Sequence, residues 1–164
     1  MGKRIIAQRR GRGTRRFVAL THRYFADAKH KVKFTKDNHF GKVIDLVHSQ
    51  SHSAPLALVK YDDNEICYMI APEGIAVGDV IVSGKNAEIK AGNTMQLNKI
   101  QEGTLIYNIE GKTGDGGKFV RASGTYARIA AKSGDKITVI MPSKLEKEFG
   151  GNCRATIGSI AGGG

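Results

Sequence analysis

From Phe40 onward the apolar residues of this chain fall in short, β-branched runs bounded by Gly, Asn and Asp, with a period nearer 2 than 3.6. This spacing predicts an all-β fold. The candidate strands are residues 42–48, 56–61, 65–70 and 79–83, then 95–99, 104–110, 118–121, 126–131, 136–141 and 153–157. Asp62-Asp63-Asn64 and Lys132-Ser133-Gly134-Asp135 read as hairpin turns, and Ala71-Pro72-Glu73-Gly74 breaks the ladder because Pro lacks a donor. Within 104–110, Leu105, Tyr107 and Ile109 are expected on one face, with Asn108 and Glu110 on the other. The spacing suggests two small barrels joined near Ser83-Gly84-Lys85, with a single larger sandwich as the alternative. Ser143-Lys144-Leu145-Glu146, with Gly150 as a stop, spells a short helix.

Charge divides the chain differently. Residues 1–36 hold 12 of the 26 Lys and Arg but one of the 15 acids, Asp27, so the whole net charge of +11 belongs to an N-terminal arm. The remainder carries 14 of each sign. Like charges repel, and Gly2, Gly11 and Gly13 add backbone entropy, so the arm is expected to be unfolded alone and to seek a polyanion. Phe17, His22, Tyr24, Phe25, His30 and Phe34 punctuate it. Such rings stack on unpaired bases while the cations neutralise phosphates. A chain starting at Asp37 is then expected to stay folded and to lose most of its salt-dependent binding.

Several function classes find no support. The longest apolar run, residues 67–71, falls far short of the roughly 18 residues of a membrane span. The basic start is not followed by an apolar secretory core, which points to the cytoplasm. Cys67 and Cys153 stand alone and read as core residues. His48 and His52 are four apart, but the zinc-protease glutamate is missing, so no metal is expected. The loop Gly111 to Phe119 fails the phosphate-loop spacing, which would need Gly at 112 and Ser or Thr at 119. Flanked by Lys112, Lys118, Arg121 and Arg128, it is expected instead to let a phosphate backbone approach closely, with exposed amides and cations supplying donors. Neither a cofactor nor a small-molecule substrate is implied, and nothing requires catalysis.

Several stretches carry a resemblance: residues 46–58, Ile70-Ala71-Pro72-Glu73-Gly74, Gly92-Asn93-Thr94, Gly114-Asp115-Gly116-Gly117-Lys118, Arg121-Ala122-Ser123-Gly124-Thr125-Tyr126 and Cys153-Arg154-Ala155-Thr156-Ile157-Gly158. In this order they resemble the universal large-subunit ribosomal protein family L-two. The opening Met-Gly-Lys-Arg-Ile-Ile and the Arg-Gly-Arg-Gly-Thr arm are similar to its archaeal and eukaryotic branch. The resemblance implies a basic arm (1–36), an OB-like barrel (37–83) and an SH3-like barrel (84–164), bound to large-subunit rRNA in the cytoplasmic ribosome. It implies neighbouring ribosomal proteins and the small subunit as further partners, with support of subunit association and of the peptidyl-transferase region.

Arg121 matches a family arginine that contacts rRNA, whereas His52 stands where a second such arginine is usual. A neutral imidazole lacks that residue's permanent charge and two-pronged donor set. The family's basic C-terminal extension, with the histidine proposed to assist peptide transfer, has no counterpart before Gly164, so no catalytic residue is assigned. The expected RNA-binding residues are Lys3, Arg4, Arg9, Arg10, Arg12, Arg15, Arg16, Arg23, Lys29, Lys31 and Lys33 in the arm, with Lys112, Lys118, Arg121, Arg128 and Arg154 in the second half. A free nucleic-acid-binding factor is the alternative, and a nucleotide hydrolase has only the imperfect glycine loop in its favour.

Overall fold

The computed structural model describes residues 23–32 and 37–164. Of the predicted RNA-contacting residues, Lys3, Arg4, Arg9, Arg10, Arg12, Arg15, Arg16 and Lys33 lie outside this range. Ten strands follow one another: β1 (Asn38–Val47), β2 (Leu56–Tyr61), β3 (Ile66–Ile70), β4 (Val80–Gly84), β5 (Thr94–Gln96), β6 (Leu105–Tyr107), β7 (Ala127–Ser133), β8 (Lys136–Ile140), β9 (Glu146–Gly150) and β10 (Arg154–Ile157). A 3-10 turn, Leu97–Lys99, follows β5. It takes over the end of the strand expected at 95–99.

The strands form one open mixed sheet in the order β3-β2-β1-β4-β5-β10-β6-β7-β8-β9. The expectation of two closed barrels is corrected to this coarser architecture. Two features join the halves. Strand β4 runs parallel to β5 through the pair Ser83 and Thr94. Strand β10, from the end of the chain, inserts between β5 and β6, so its backbone donors and acceptors are used on both sides. Apolar packing nevertheless concentrates in two main cores. Val43, Val59, Tyr61, Met69 and Ile81 fill the first, and Leu97, Ile106, Ile129, Ile137, Val139 and Phe149 fill the second. A third cluster, Ala28, Leu56, Ile70, Tyr107 and Ile160, bridges them, and the buried Tyr107 hydroxyl donates to the Ile70 carbonyl at 3.0 Å.

The β2–β3 turn places Asn64 at φ +61°, and the β7–β8 turn places Gly134 at φ +58°, as those turn residues lead one to expect. Gly41 on β1 admits the side chains of the neighbouring strand. A Cβ there would lie 2.6 Å from Val59 Cγ1 and 2.8 Å from the Tyr61 ring.

Three local expectations fail. The segment expected to be helical forms a turn and then β9, because a helix of seven or eight residues cannot stabilise itself whereas β8 offers an open edge. Pairing there adds a Lys136–Glu148 ion pair at 3.0 Å and sets Lys147 3.9 Å above the Phe119 ring. The alternation over 104–110 also breaks down. Strand β6 ends at Tyr107, Asn108 turns to φ +48°, and both Asn108 and Glu110 are buried. Residues 118–121 contribute an isolated bridge between Ile109 and Phe119, since Val120 at φ +55° ends the ladder. Of the two cysteines, Cys153 is buried and Cys67 half-buried.

Candidate nucleic-acid interface

Residues 27–32 run as a strap across the junction of the two cores. The Lys29 N–H donates to Tyr68 O at 2.9 Å on β3, and the His30 N–H to Gly116 O at 3.1 Å in the glycine loop. Ala28, His30 and Lys31 are buried. Lys31, expected to meet phosphate, instead places its ammonium 2.5 Å from Asp63 and 2.6 Å from Glu65. Burial opposes that charge, but the hydrogen bonds that Lys31 donates to the two carboxylates outweigh it and hold its pKa above the usual value.

His30 donates from Nε2 to the Asn108 carbonyl at 2.7 Å. Burial, and then the positive charge of Arg154, push its pKa down to about 4, so it is neutral at physiological pH. The opposite ring nitrogen, Nδ1, has no hydrogen-bond partner among the described residues.

Arg154 is the second expected RNA cation that the fold uses internally. Its Nε and Nη2 donate to Glu110 Oε1 at 2.9 and 2.5 Å, and its Nη1 to the Lys31 carbonyl at 2.7 Å. Glu110 is wholly buried, yet Arg154 holds its pKa below the usual carboxylate range against the cost of burial.

The same carboxylate organises the glycine loop, accepting from the amides of Gly114 and Gly116 at 3.2 and 3.3 Å. Asp115 accepts from Gly111 and Lys112 through Oδ2 and from Gly117 through Oδ1, all at 3.0 Å. The expectation of a loop with free amides is therefore corrected: its anion-binding nest is occupied by the chain's own acids. Two acids close to so many glycines, Glu110 and Asp115, were the available sequence signal. The loop instead presents the exposed side chains of Lys112 and Lys118, the latter 3.6 Å from Asp115.

Arg121 sits where strap and loop meet. Its Nη1 donates to Gly117 O at 2.7 Å and its Nη2 to Ala28 O at 2.9 Å. Burial lowers its pKa, but a guanidinium so anchored stays charged at any physiological pH. Five donors belong to the group, so the two carbonyls leave three to offer. Arg121 lines a cleft of about 460 Å³ together with Tyr24, Asp27, Lys29 and His52.

Lys29 is half-exposed there and pairs with Asp27 at 2.9 Å. His52 contacts the Ser49 hydroxyl at 2.8 Å and meets the Tyr24 ring edge-on, with centroids 5.0 Å apart. Burial and the nearby Arg121 charge lower the His52 pKa, so it faces the cleft without charge. Arg23 is exposed and donates to Gln50 Oε1 at 3.0 Å. Arg128 is exposed on β7, away from this cleft.

Thus Arg121 and Lys29 converge with His52, whereas Lys31 and Arg154 hold the strap. Among the described residues, His39, Asp62 and Asp63 are the grouping with metal-ligand spacing. His39 Nδ1 already meets Asp62 at 2.9 Å and Asp63 holds Lys31, so the cluster reads as an ion-pair network.

Comparison with known proteins gives a consistent match over both halves. Residues 3–83 match the family model described as Ribosomal Proteins L2, RNA binding N-terminal domain, and residues 90–164 match Ribosomal Proteins L2, C-terminal domain. The large ribosomal subunit protein uL2 of Archaeoglobus fulgidus is 49% identical over 164 residues, which cover 100% of this chain and 69% of that protein. Its counterparts in Natronomonas pharaonis and Methanosphaera stadtmanae are 48% and 46% identical, with 100% of this chain covered and 68% and 69% of theirs.

Proposed function

Because the chain belongs to the large ribosomal subunit protein uL2 family, we propose that Arg121 and Lys29 form an rRNA contact on its surface, to which the cations of residues 1–22 add phosphate neutralisation. The chain is an rRNA-binding structural protein of the large ribosomal subunit, resident in the cytoplasmic ribosome. What carries the local reading is Arg121 itself, fixed by two carbonyls at the edge of an open cleft whose other cation, Lys29, is paired with Asp27. Such a guanidinium meets a phosphate in a set orientation with little rotamer entropy to lose. Lys112, Lys118, Arg128 and Arg23 are exposed and add sequence-independent phosphate neutralisation.

Residues 37–83 and 84–164 are read as OB-like and SH3-like modules, with residues 1–36 as the arm whose last part is the strap. In support, the first core draws on β1 to β4 and the second mainly on β5 to β10. The same reading places neighbouring ribosomal proteins and the small subunit against this chain, in support of subunit association and the peptidyl-transferase region.

Arg121→Lys tests the contact, since it keeps the charge but loses the fork. Binding to large-subunit rRNA, against a structured competitor of equal length, should weaken by about 5- to 30-fold with an unchanged salt slope. Wild-type affinity in this variant would overturn the assignment.

A further inference from the structure

A second recess lies beside β7 and β8. Its volume is about 580 Å³, within the range that holds a small ligand, and it shares no lining residue with the Arg121 cleft. Tyr126, Arg128, Met141, Pro142 and Lys144 line it, and none of its lining residues is a carboxylate. Tyr126 is 46% exposed, a large ring left facing solvent. Arg128 projects outward between the buried Ala127 and Ile129. Neither Arg128 nor Lys144 makes an ion pair with any described residue.

Lys144 has a further peculiarity. It sits at φ +66° in the β8–β9 turn, closed by Lys144 N–H to Met141 O at 2.8 Å and Met141 N–H to Leu145 O at 2.9 Å. Glycine takes that left-handed conformation freely, whereas a long side chain is strained in it. Strain held at a pocket rim, in a residue whose charge meets no ion-pair partner among the described residues, points to a ligand for that charge.

We propose that this recess seats one unpaired nucleotide of RNA, its base against the Tyr126 ring and its phosphate between Arg128 and Lys144. The inference rests on the rRNA-binding reading above and adds a site to it. A single flat ring flanked by two cations suits a base with its phosphate, because every base offers a π-face and the backbone brings the anion. An acidic peptide would use the cations but not the ring.

The test measures affinity for large-subunit rRNA across a salt series, with a structured competitor RNA, for the wild type and Tyr126→Leu, Arg128→Gln and Lys144→Gly. Tyr126→Leu should weaken binding about tenfold with the salt slope intact. Arg128→Gln and Lys144→Gly should each lower the slope by about 0.7 to 0.9. Lys144→Gly should do so with an unchanged or higher melting temperature, because glycine relieves the strained turn, a combination that a merely structural lysine would not give.

Wild-type affinity and slope in all three variants, with rRNA still preferred over competitor, would overturn the nucleotide site and leave the rRNA reading standing. Loss of that preference in the wild type would overturn both. Poly-glutamate that relieves rRNA binding in the wild type and in Tyr126→Leu but not in Arg128→Gln would reassign the recess to an acidic protein segment.

Discussion

Glu110→Gln is expected to destabilise the protein by about 3–5 kcal/mol, the range for removing one partner of a buried ion pair. The figure follows from the number of donors that meet this one carboxylate. Oε1 takes Arg154 Nε, Arg154 Nη2 and the Gly116 amide, and Oε2 takes the amides of Arg154 and Gly114. A glutamine has the same shape but one acceptor oxygen, so its amide nitrogen must face one of the two donor sets. A buried donor left without an acceptor costs about 1–3 kcal/mol, more when charged. Arg154, with its side chain 12% exposed, recovers little by hydration.

Urea unfolding of the variant and the wild type, followed by circular dichroism, measures the difference, and the m-value should be unchanged. The double variant Glu110→Gln with Arg154→Met should lose less than the two single changes together, since the charge is then no longer stranded. A loss below about 1 kcal/mol in Glu110→Gln at unchanged m would refute the reasoning, because the carboxylate could not then be the organiser of strap and loop.

Two further outcomes concern the strap. His30 has a folded pKa of about 4 against an ordinary 6.5, so the unfolded chain binds its proton first as pH falls. Its contribution is therefore full above pH 6.5 and is lost as pH drops towards 4, by about 3 kcal/mol in all. Glu110, whose pKa is also lowered, adds a loss of the same sign below its ordinary value of 4.5. Urea midpoints between pH 7 and 4.5 should fall in the wild type and stay flatter in His30→Gln; a flat wild-type profile would contradict the burial. A chain starting at Arg23 should unfold like the full chain, whereas one starting at Asp37 should lose at least about 3 kcal/mol, since Arg121, Arg154 and the Asn108 carbonyl all lose partners. Equal midpoints for the two shortened chains would show that the strap contributes nothing.

Elements governed by local chemistry were legible in the sequence. The turn at Asp62-Asp63-Asn64, the hairpin around Gly134 and the strand Leu56–Tyr61 each follow from nearby residues. Strand β9 was not, because its short segment has a helical spelling and becomes a strand only through the open edge of β8. Asn108 and Glu110 looked like the wet side of a strand because their partners stand 78 and 44 positions away. The site divides in the same way. Arg121 stands out through its motif, while the sign of a charge says nothing of its burial, so Lys31 and Arg154 could not be told from cations facing solvent. The acid that neutralises Arg154, Glu110, closes the run Leu105 to Ile109 just before the glycine loop, a place that gives no sign of a buried ion pair.

The strap also bears on how the protein is made. Its Lys31 carbonyl waits for Arg154, 123 positions later in the chain. At about 5–20 residues per second of synthesis, that interval is on the order of 10 s. During it the Lys31 carbonyl lacks the Arg154 donor, and the strap is held by its contacts to β3 and to Asp63 and Glu65. The strap is therefore locked at both ends only once β10 has been made.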